Sequence, residues 1–266
     1  MNQTAKHDSW KAGENYDQYM GRWSQLVAQE FLHWLEAPED AEWADIGCGT
    51  GALTRTVLAK ANPKSVVAID PSDGFLTYAR REITDPRVVF QIADAQDIPT
   101  PDDEFDVTAS ALVLNFIPDK LKALGEMRRT TRPGGIVSFY VWDYPGSGIG
   151  FIDTFWKAAA SLDPTARDLD EANRFPFCTF NGLREICETA GLRNAVIGSL
   201  EIESEFPDFE AFWHPFTLGA GPAPGYCMSL PEASRERLRD LLKRTLGTDT
   251  VIRLPARAWA VKSIME

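Results

Sequence analysis

The stretch Trp43–Thr54, "WADIGCGTGALT", constrains the fold more than any other. A short apolar run ends in three glycines within five residues and then opens a helix-like segment. A loop so poor in side chains lets backbone approach a ligand where a strand turns into a helix. A dinucleotide-binding loop reads G-x-G-x-x-G, its third glycine packing helix on strand. Here the spacing is Gly47-x-Gly49-x-Gly51, with Asp45 two residues earlier. A pyrophosphate seeks amide N–H groups and a helix N-terminus, not a carboxylate. A ligand with an ammonium or sulfonium group suits such a loop. No Gly-Lys-Ser/Thr closes it, so a phosphate-gripping P-loop is excluded.

Downstream, strand-like and helix-like segments alternate. "SVVAID" (65–70), "RVVFQIA" (87–93), "FDVTASALVL" (105–114) and "GIVSFYVW" (135–142) are apolar or β-branched runs; "EWADIG" (42–47) is weaker. Near-continuous apolar strands suit a sheet covered on both faces. In "DKLKALGEMRR", Leu121, Leu124 and Met127 share a helical face, with Asp119 placed as cap. "NAVIGSLEIES" and "TDTVIRLPARAWAVKSIM" supply two further strands. This order predicts an α/β fold with a doubly wound, mostly parallel, seven-stranded sheet. Residues 1–36 read as an N-terminal helical lid, 37–206 with 248–266 as the core, and 207–247 as a helical cap insertion. Within the cap, "GAGPAPGY" reads as a flexible connection or lid. "LPEASRERLRDLLKRTLG" reads as a helix burying Leu238, Leu241, Leu242, Thr245 and Leu246.

Acidic residues close successive strands. Asp70 ends "VVAID", 19 residues beyond Gly51. A carboxylate there can accept from both ribose hydroxyls of an adenosine, whether the ligand is a nicotinamide dinucleotide or S-adenosylmethionine. Asp94, just past the third strand, can accept from an adenine amine while the N–H of Ala95 meets a ring nitrogen. Alone, Asp94 reads as a turn cap. In series with Asp45 and Asp70 it marks the crevice beyond the strand ends.

With these residues the sequence resembles the class I S-adenosylmethionine-dependent methyltransferases, in their small-molecule bacterial branch. The matching stretches are "DIGCGTG" (45–51), "AIDPS" (68–72), "ADAQDIP" (93–99), "FDVTASALVLNFIPD" (105–119), "EMRRTTRPGG" (126–135) and "LREICETAGL" (183–192). The resemblance implies a Rossmann-like sheet with helices on both faces, S-adenosylmethionine as cofactor, and methyl transfer to O, N or C of a small molecule. Carried over, Gly47, Gly49 and Gly51 approach the methionine part, and Asp45 organises the loop and the amino group. Asp70 holds the ribose, with Pro71, Ser72 and Phe75 beside the adenosine. Asp94 and Ala95 hold adenine; Ala111, Leu112 and Asn115 lie beside the methyl. In the resembling enzymes an N-terminal helix covers the cofactor. Here "YDQYMGRWS" would set Arg22 on the cofactor carboxylate and Tyr16, Tyr19 and Trp23 on cofactor or substrate.

Such a transfer is an SN2 displacement, in which the protein mainly aligns and desolvates. A base is needed only where the nucleophile must lose a proton. His214 in "FWHPF" is the first candidate and Asp143 the second. Trp142 and Tyr144 leave the fifth strand toward the crevice, and Trp213 would roof it. "LNFIPD" stands where DNA amino-methyltransferases carry Asp/Asn-Pro-Pro-Tyr, which disfavours transfer to a base.

A net charge of −12 opposes a nucleic-acid partner. Cys48, Cys178, Cys187 and Cys227 lack C-x-x-C spacing, so neither zinc nor disulfides are expected, and a reducing cytoplasm is. No apolar run is long enough for a membrane span, and the first twenty residues lack a signal-peptide core. The expected partner is a small molecule, and the chain a monomer or homodimer. Two rivals stand beside the methyltransferase reading. An NAD(P)-dependent oxidoreductase is opposed by the glycine spacing and Asp45. A non-catalytic cofactor-binding protein is opposed by the intact motif positions.

Overall fold

The computed structural model describes residues 17–247 and 251–266. Its strands are β1 Glu42–Ile46, β2 Ser65–Asp70, β3 Val88–Ile92, β4 Phe105–Ala111, β5 Thr131–Trp142, β6 Val196–Phe206 and β7 Ile252–Ile264. They form one sheet in the order β3-β2-β1-β4-β5-β7-β6. Pairs from β3 through β5 are parallel, whereas β7 runs antiparallel to both β5 and β6. The strand order turns back between β1 and β4, so a crevice forms beyond the C-terminal ends of these two strands. β1 and β4 lie inside the sheet and are mostly buried, which accounts for their apolar sequences. β3 is an edge strand and exposes Val89 and Ile92.

Helix α1, Arg22–Leu35, follows a π-helical turn at Asp17–Gly21. It buries Trp23, Val27, Ala28, Phe31 and Leu35 along one stripe. Phe31 meets Tyr140 of β5 at a 4.6 Å ring separation. Helix α2, Ala52–Lys60, follows the glycine loop. Helices α3, Asp73–Glu82, and α4, Lys120–Thr130, start on side-chain caps. The Phe75 N–H donates to Ser72 Oγ at 3.3 Å, and the Lys122 N–H to Asp119 Oδ1 at 2.9 Å. α4 turns Ala123, Leu124, Met127 and Thr130 inward. Leu121, expected on that stripe, is exposed. A three-residue repeat drifts about 60° per step around the helix, which carries its first member out of the interface.

Helix α5, Gly150–Leu162, leads to the short α6, Glu171–Arg174, and to α7, Phe180–Thr189. Between β6 and β7 lie α8 Phe209–Trp213, α9 Pro222–Ser229 and α10 Glu232–Leu246. The stretch expected as a flexible connection is instead the buried start of α9. Pro222 and Pro224 fall in its first turn, where backbone N–H groups have no intrahelical acceptor, so their missing donors cost nothing. In α10, Leu238 and Leu242 are buried but Thr245 is exposed. One apolar core includes Phe31, Tyr140, Phe151, Phe212 and Leu242. It runs unbroken through the three segments that the sequence reading separates.

Candidate functional site

Beyond the C-terminal ends of β1, β2, β4 and β5 lies a cavity of about 330 Å³. The glycine loop forms one side. The N–H groups of Gly47 and Cys48 donate to the Ile69 carbonyl at 2.7 and 2.9 Å, tying the loop to β2. Gly47 has φ +74°, and a Cβ on it would lie 2.4 Å from Val113 Cγ1. Conformation and packing thus both require glycine there. Gly49 has φ +54°, and a Cβ would meet nothing within 4 Å. It borders open cavity with bare backbone, the space a ligand needs. Gly51 lies outside the cavity lining, where its lack of a side chain makes room for Ile83 of the loop after α3.

Asp70 lines the cavity and is 5% exposed. The Gly49 N–H donates to its Oδ2 at 2.9 Å and the Ser72 N–H to its Oδ1 at 2.8 Å. A carboxylate offers about four lone-pair positions, so each oxygen keeps capacity for one more donor. Two adjacent acceptors match a vicinal diol. Burial raises this carboxyl's pKa against the pull of the two N–H groups. Pro71, Ser72, Asp94 and Ala95 line the same cavity. The Gln96 backbone N–H and Nε2 donate to Asp94 Oδ1 at 2.8 and 3.0 Å and hold that carboxyl below its ordinary range. Leu112 adopts φ +60°, left-handed for a side-chain-bearing residue, and its N–H donates to the Tyr140 carbonyl at 2.8 Å. Such a conformation costs about 1–2 kcal/mol and persists where the surroundings impose it, often at functional sites. Aromatic walls are supplied by Tyr19, Phe75, Phe116, Tyr140, Trp142 and Tyr144.

Several expected residues stand elsewhere. Asp45 lies beneath the loop, 1% exposed; its Oδ2 accepts the Thr54 hydroxyl at 2.6 Å and its Oδ1 has no partner among the described residues. Asp143 sits between Trp142 and Tyr144 but faces away from the cavity they line. It accepts Arg257 Nε at 2.8 Å, a second Arg257 guanidinium N–H, and the Gly146 N–H at 3.0 Å. It fastens the exit of β5 to β7 and offers no base to the cavity. His214 is exposed and outside the cavity, because Phe212 and Phe216, four residues apart, take the buried side of that turn. Trp213 packs near Phe216 at 6.3 Å and does not line the cavity. Arg22 is exposed and lies over the rings of Trp23 and Phe206 at 3.9 and 4.8 Å, away from the cavity. Trp23 is buried against Phe151 and Phe206. Asn115 is buried outside the cavity lining, and neither of its side-chain polar atoms has a partner among the described residues. Tyr16 lies outside the described residues.

Sequence reasoning missed Met20, Ser24, Pro222 and above all Glu171, all of which line the cavity. Glu171 is 2% exposed and accepts the Trp156 indole N–H. The described lining residues include Asp70, Asp94 and Glu171 but no Lys, Arg or His. Among the described residues no group of three or more His, Cys, Asp or Glu is placed to hold a metal ion.

Burial pushes the Asp45 carboxyl up to about 7 and that of Glu171 up to about 8. Both are acids with raised native pKa values. Above the unfolded pKa near 4 the unfolded chain has released these protons while the native chain retains them. Unfolding free energy therefore falls as pH rises through about 7–8, by an amount on the order of a few kcal/mol. Denaturant titrations should show the native state less stable at pH 8 than at pH 5.5. The Asp45→Asn, Glu171→Gln double variant should lose most of that slope. A wild-type stability that rises over this window contradicts the assignment.

The chain was compared with known proteins. Residues 44–139 match the model of a methyltransferase domain family. A malonyl-[acyl-carrier protein] O-methyltransferase from Serratia marcescens is 36% identical over 95 residues, spanning 36% of either chain. A ubiquinone/menaquinone biosynthesis C-methyltransferase from Burkholderia orbicola is 40% identical over 106 residues, 37% of this chain and 44% of that one. This chain thus spans less than half the length of these two relatives. A solved structure of Haemonchus contortus phosphoethanolamine N-methyltransferase 2 with S-adenosyl-L-methionine aligns with a TM-score of 0.59 at 16% identity. It covers 95% of this chain and 56% of that one. That likeness concerns the fold, which is the Rossmann-like α/β architecture.

Proposed function

We propose that this chain, which carries a class I S-adenosylmethionine-dependent methyltransferase domain, moves a methyl group from S-adenosylmethionine to a small-molecule acceptor. The observation that carries this reading is Asp70, its two oxygens each held by one loop N–H and each free to take one ribose hydroxyl. Asp94 and the backbone of Ala95 stand at the next strand end for the adenine. Gly49 leaves bare space for the methionine portion. Bound S-adenosylmethionine supplies a methyl on a sulfonium, already a good leaving group. The protein's share is to bind, orient and keep water away, which the aromatic walls and the left-handed turn at Leu112 suit.

A dinucleotide fits less well. Its pyrophosphate would sit in a cavity whose described lining includes three carboxyls and no Lys, Arg or His. A sulfonium ligand meets the opposite situation. Relatives named for malonyl-[acyl-carrier protein] and for ubiquinone/menaquinone biosynthesis support an acceptor other than nucleic acid. A reducing cytoplasm and a monomeric or homodimeric working unit belong to the same reading. Among the described residues no helix is long and apolar enough to cross a membrane.

Titration calorimetry tests the reading. S-adenosylhomocysteine should bind saturably at one site, and NADH should give no heat. Binding of NADH with silence from S-adenosylhomocysteine would replace the reading with an oxidoreductase.

A further inference from the structure

Glu171 lines the cavity, yet none of the cofactor roles above uses it. It stands in the connection between β5 and β6. Trp156 of α5 donates its indole N–H to Oε2 and so fixes the carboxyl's position. The wall around it is apolar, with Phe116, Tyr144, Ile152 and Pro222 on the same cavity. Phe175 joins Phe116 and Tyr144 behind that wall at ring separations of 5.1 and 5.8 Å. A neutral amide would satisfy the indole equally well. Among the described residues this buried carboxyl has no salt-bridge partner, so its charged form is costly unless a group in the cavity takes part.

We propose that Glu171 is the acid–base group that receives the acceptor, and that the acceptor is an uncharged, ring-bearing molecule presenting one O–H or N–H to it. The proposal rests on the methyltransferase reading. In the transfer, a lone pair on the acceptor O or N forms a bond to the methyl carbon. The carbon–sulfur bond breaks, and its electron pair stays on sulfur, leaving a neutral thioether. The acceptor's proton passes to the ionised Glu171, which becomes a carboxylic acid and later releases the proton to water. An acceptor bearing a carboxylate would meet like charge and, among the described lining residues, no cation. Burial pushes the Glu171 carboxyl up to about 8, near working pH, where a base is most effective. The charges that act on it are its neighbours Asp170, which raises its pKa, and Arg174, which lowers it. Asp153 and Lys157 of α5 act in turn on Asp170.

The test uses the full chain saturated with S-adenosylhomocysteine and two probes of nearly the same shape, 4-methylphenol and 4-methylbenzoate. A phenol stays neutral up to about pH 10, whereas the benzoate is an anion throughout. Binding is followed by tryptophan fluorescence between pH 6.5 and 8.5. The phenol should bind, and the benzoate should weaken about fourfold over this range as pH rises and Glu171 ionises. Glu171→Gln should flatten the benzoate's pH dependence and weaken the phenol about tenfold at pH 8.5. A purely structural residue would not move the two probes in opposite directions. An unchanged melting temperature and S-adenosylhomocysteine affinity show that the variant is folded; if it is not, the wild-type pH dependence decides alone. A pH-independent benzoate affinity equal to that of the phenol, or no phenol binding at millimolar concentration, overturns the proposal. Failure of S-adenosylhomocysteine itself to bind is read separately by calorimetry and removes the methyltransferase reading on which the proposal rests.

Discussion

Replacing Asp70 with alanine is expected to weaken S-adenosylhomocysteine binding by roughly two to three orders of magnitude. Two ribose hydroxyls would donate to a charged acceptor, and such bonds contribute about 1.5–3 kcal/mol each. The substitution also releases the Gly49 N–H that Asp70 now holds at 2.9 Å, so the loop loses its anchor as well. Asp70→Asn should be nearly as damaging. One of its two oxygens becomes an NH₂ group, which must then face either the Gly49 or the Ser72 N–H, donor against donor. Stability should move differently from binding. Burial raises this carboxyl's pKa against the pull of the Gly49 and Ser72 N–H groups, so the cost of burying the charge offsets the loop bonds it makes. The melting temperature without ligand should change little, while the increase that S-adenosylhomocysteine gives the wild type should largely vanish. An affinity within threefold of wild type would remove Asp70 from the site, and with it the main support for the cofactor.

What the sequence made legible follows from local rules. Strand-end carboxylates are visible because a parallel sheet delivers every strand's C-terminal end to one edge, so Asp70 and Asp94 could be placed from the strand pattern alone. Gly47 and Gly49 are visible for a similar reason: few other residues tolerate their φ values. Of the two misplaced bases, His214 was legible from helical spacing and Asp143 was not. Asp143 stands where β5 ends in a turn, the Tyr144 N–H donating to the Trp142 carbonyl at 3.0 Å, and its side chain goes to Arg257 rather than into the cavity. Phe212 and Phe216 are four apart on a helical turn, which turns His214 outward. Both assignments rest on the segment, His214 on the expected roof and Asp143 at the exit of the fifth strand, and a segment's place does not fix which way one side chain turns. Arg22 shows the same limit. Its helix is fixed by the stripe Trp23, Val27, Phe31, but the flanking position turns outward onto Trp23 and Phe206.

Glu171 was not legible. It sits on a four-residue helix inside a long connection, with no spacing that distinguishes "DLDEANR" from a solvated charged turn. Only tertiary packing shows that Trp156 reaches it and that the cavity ends on it. Pro222 was hidden for another reason. Proline and glycine punctuate loops, but they also open helices, and composition does not separate the two uses.

Asp143→Ala is expected to be the most destabilising of the substitutions considered, although its parent residue touches no ligand space. Its side chain is 3% exposed and accepts two guanidinium N–H bonds from Arg257 and one from the Gly146 backbone. Removing one partner of a buried ion pair commonly costs about 3–5 kcal/mol. Arg257 is 35% exposed, so water will relieve part of its loss, and about 2–4 kcal/mol is the better figure. For a chain of this size that lowers the melting temperature by very roughly 5–15 °C. Arg257→Ala should cost at least as much, since it strands the more buried charge. The double variant should cost clearly less than the two single losses added, because each already removes the pair. The backbone explains why the pair matters to the site. The Asp143 N–H donates to the Arg257 carbonyl at 3.0 Å and the Arg257 N–H to the Gly148 carbonyl at 2.7 Å, so the turn carrying Trp142 and Tyr144 is stitched to β7. Loosening it should blur the cavity wall while leaving the glycine loop and Asp70 intact. S-adenosylhomocysteine affinity should therefore fall less than tenfold at temperatures where the variant is folded. A stable Asp143→Ala protein, with its melting temperature within 2 °C of wild type, would show that the pair does not hold this turn and would return Asp143 to consideration as a reactive group.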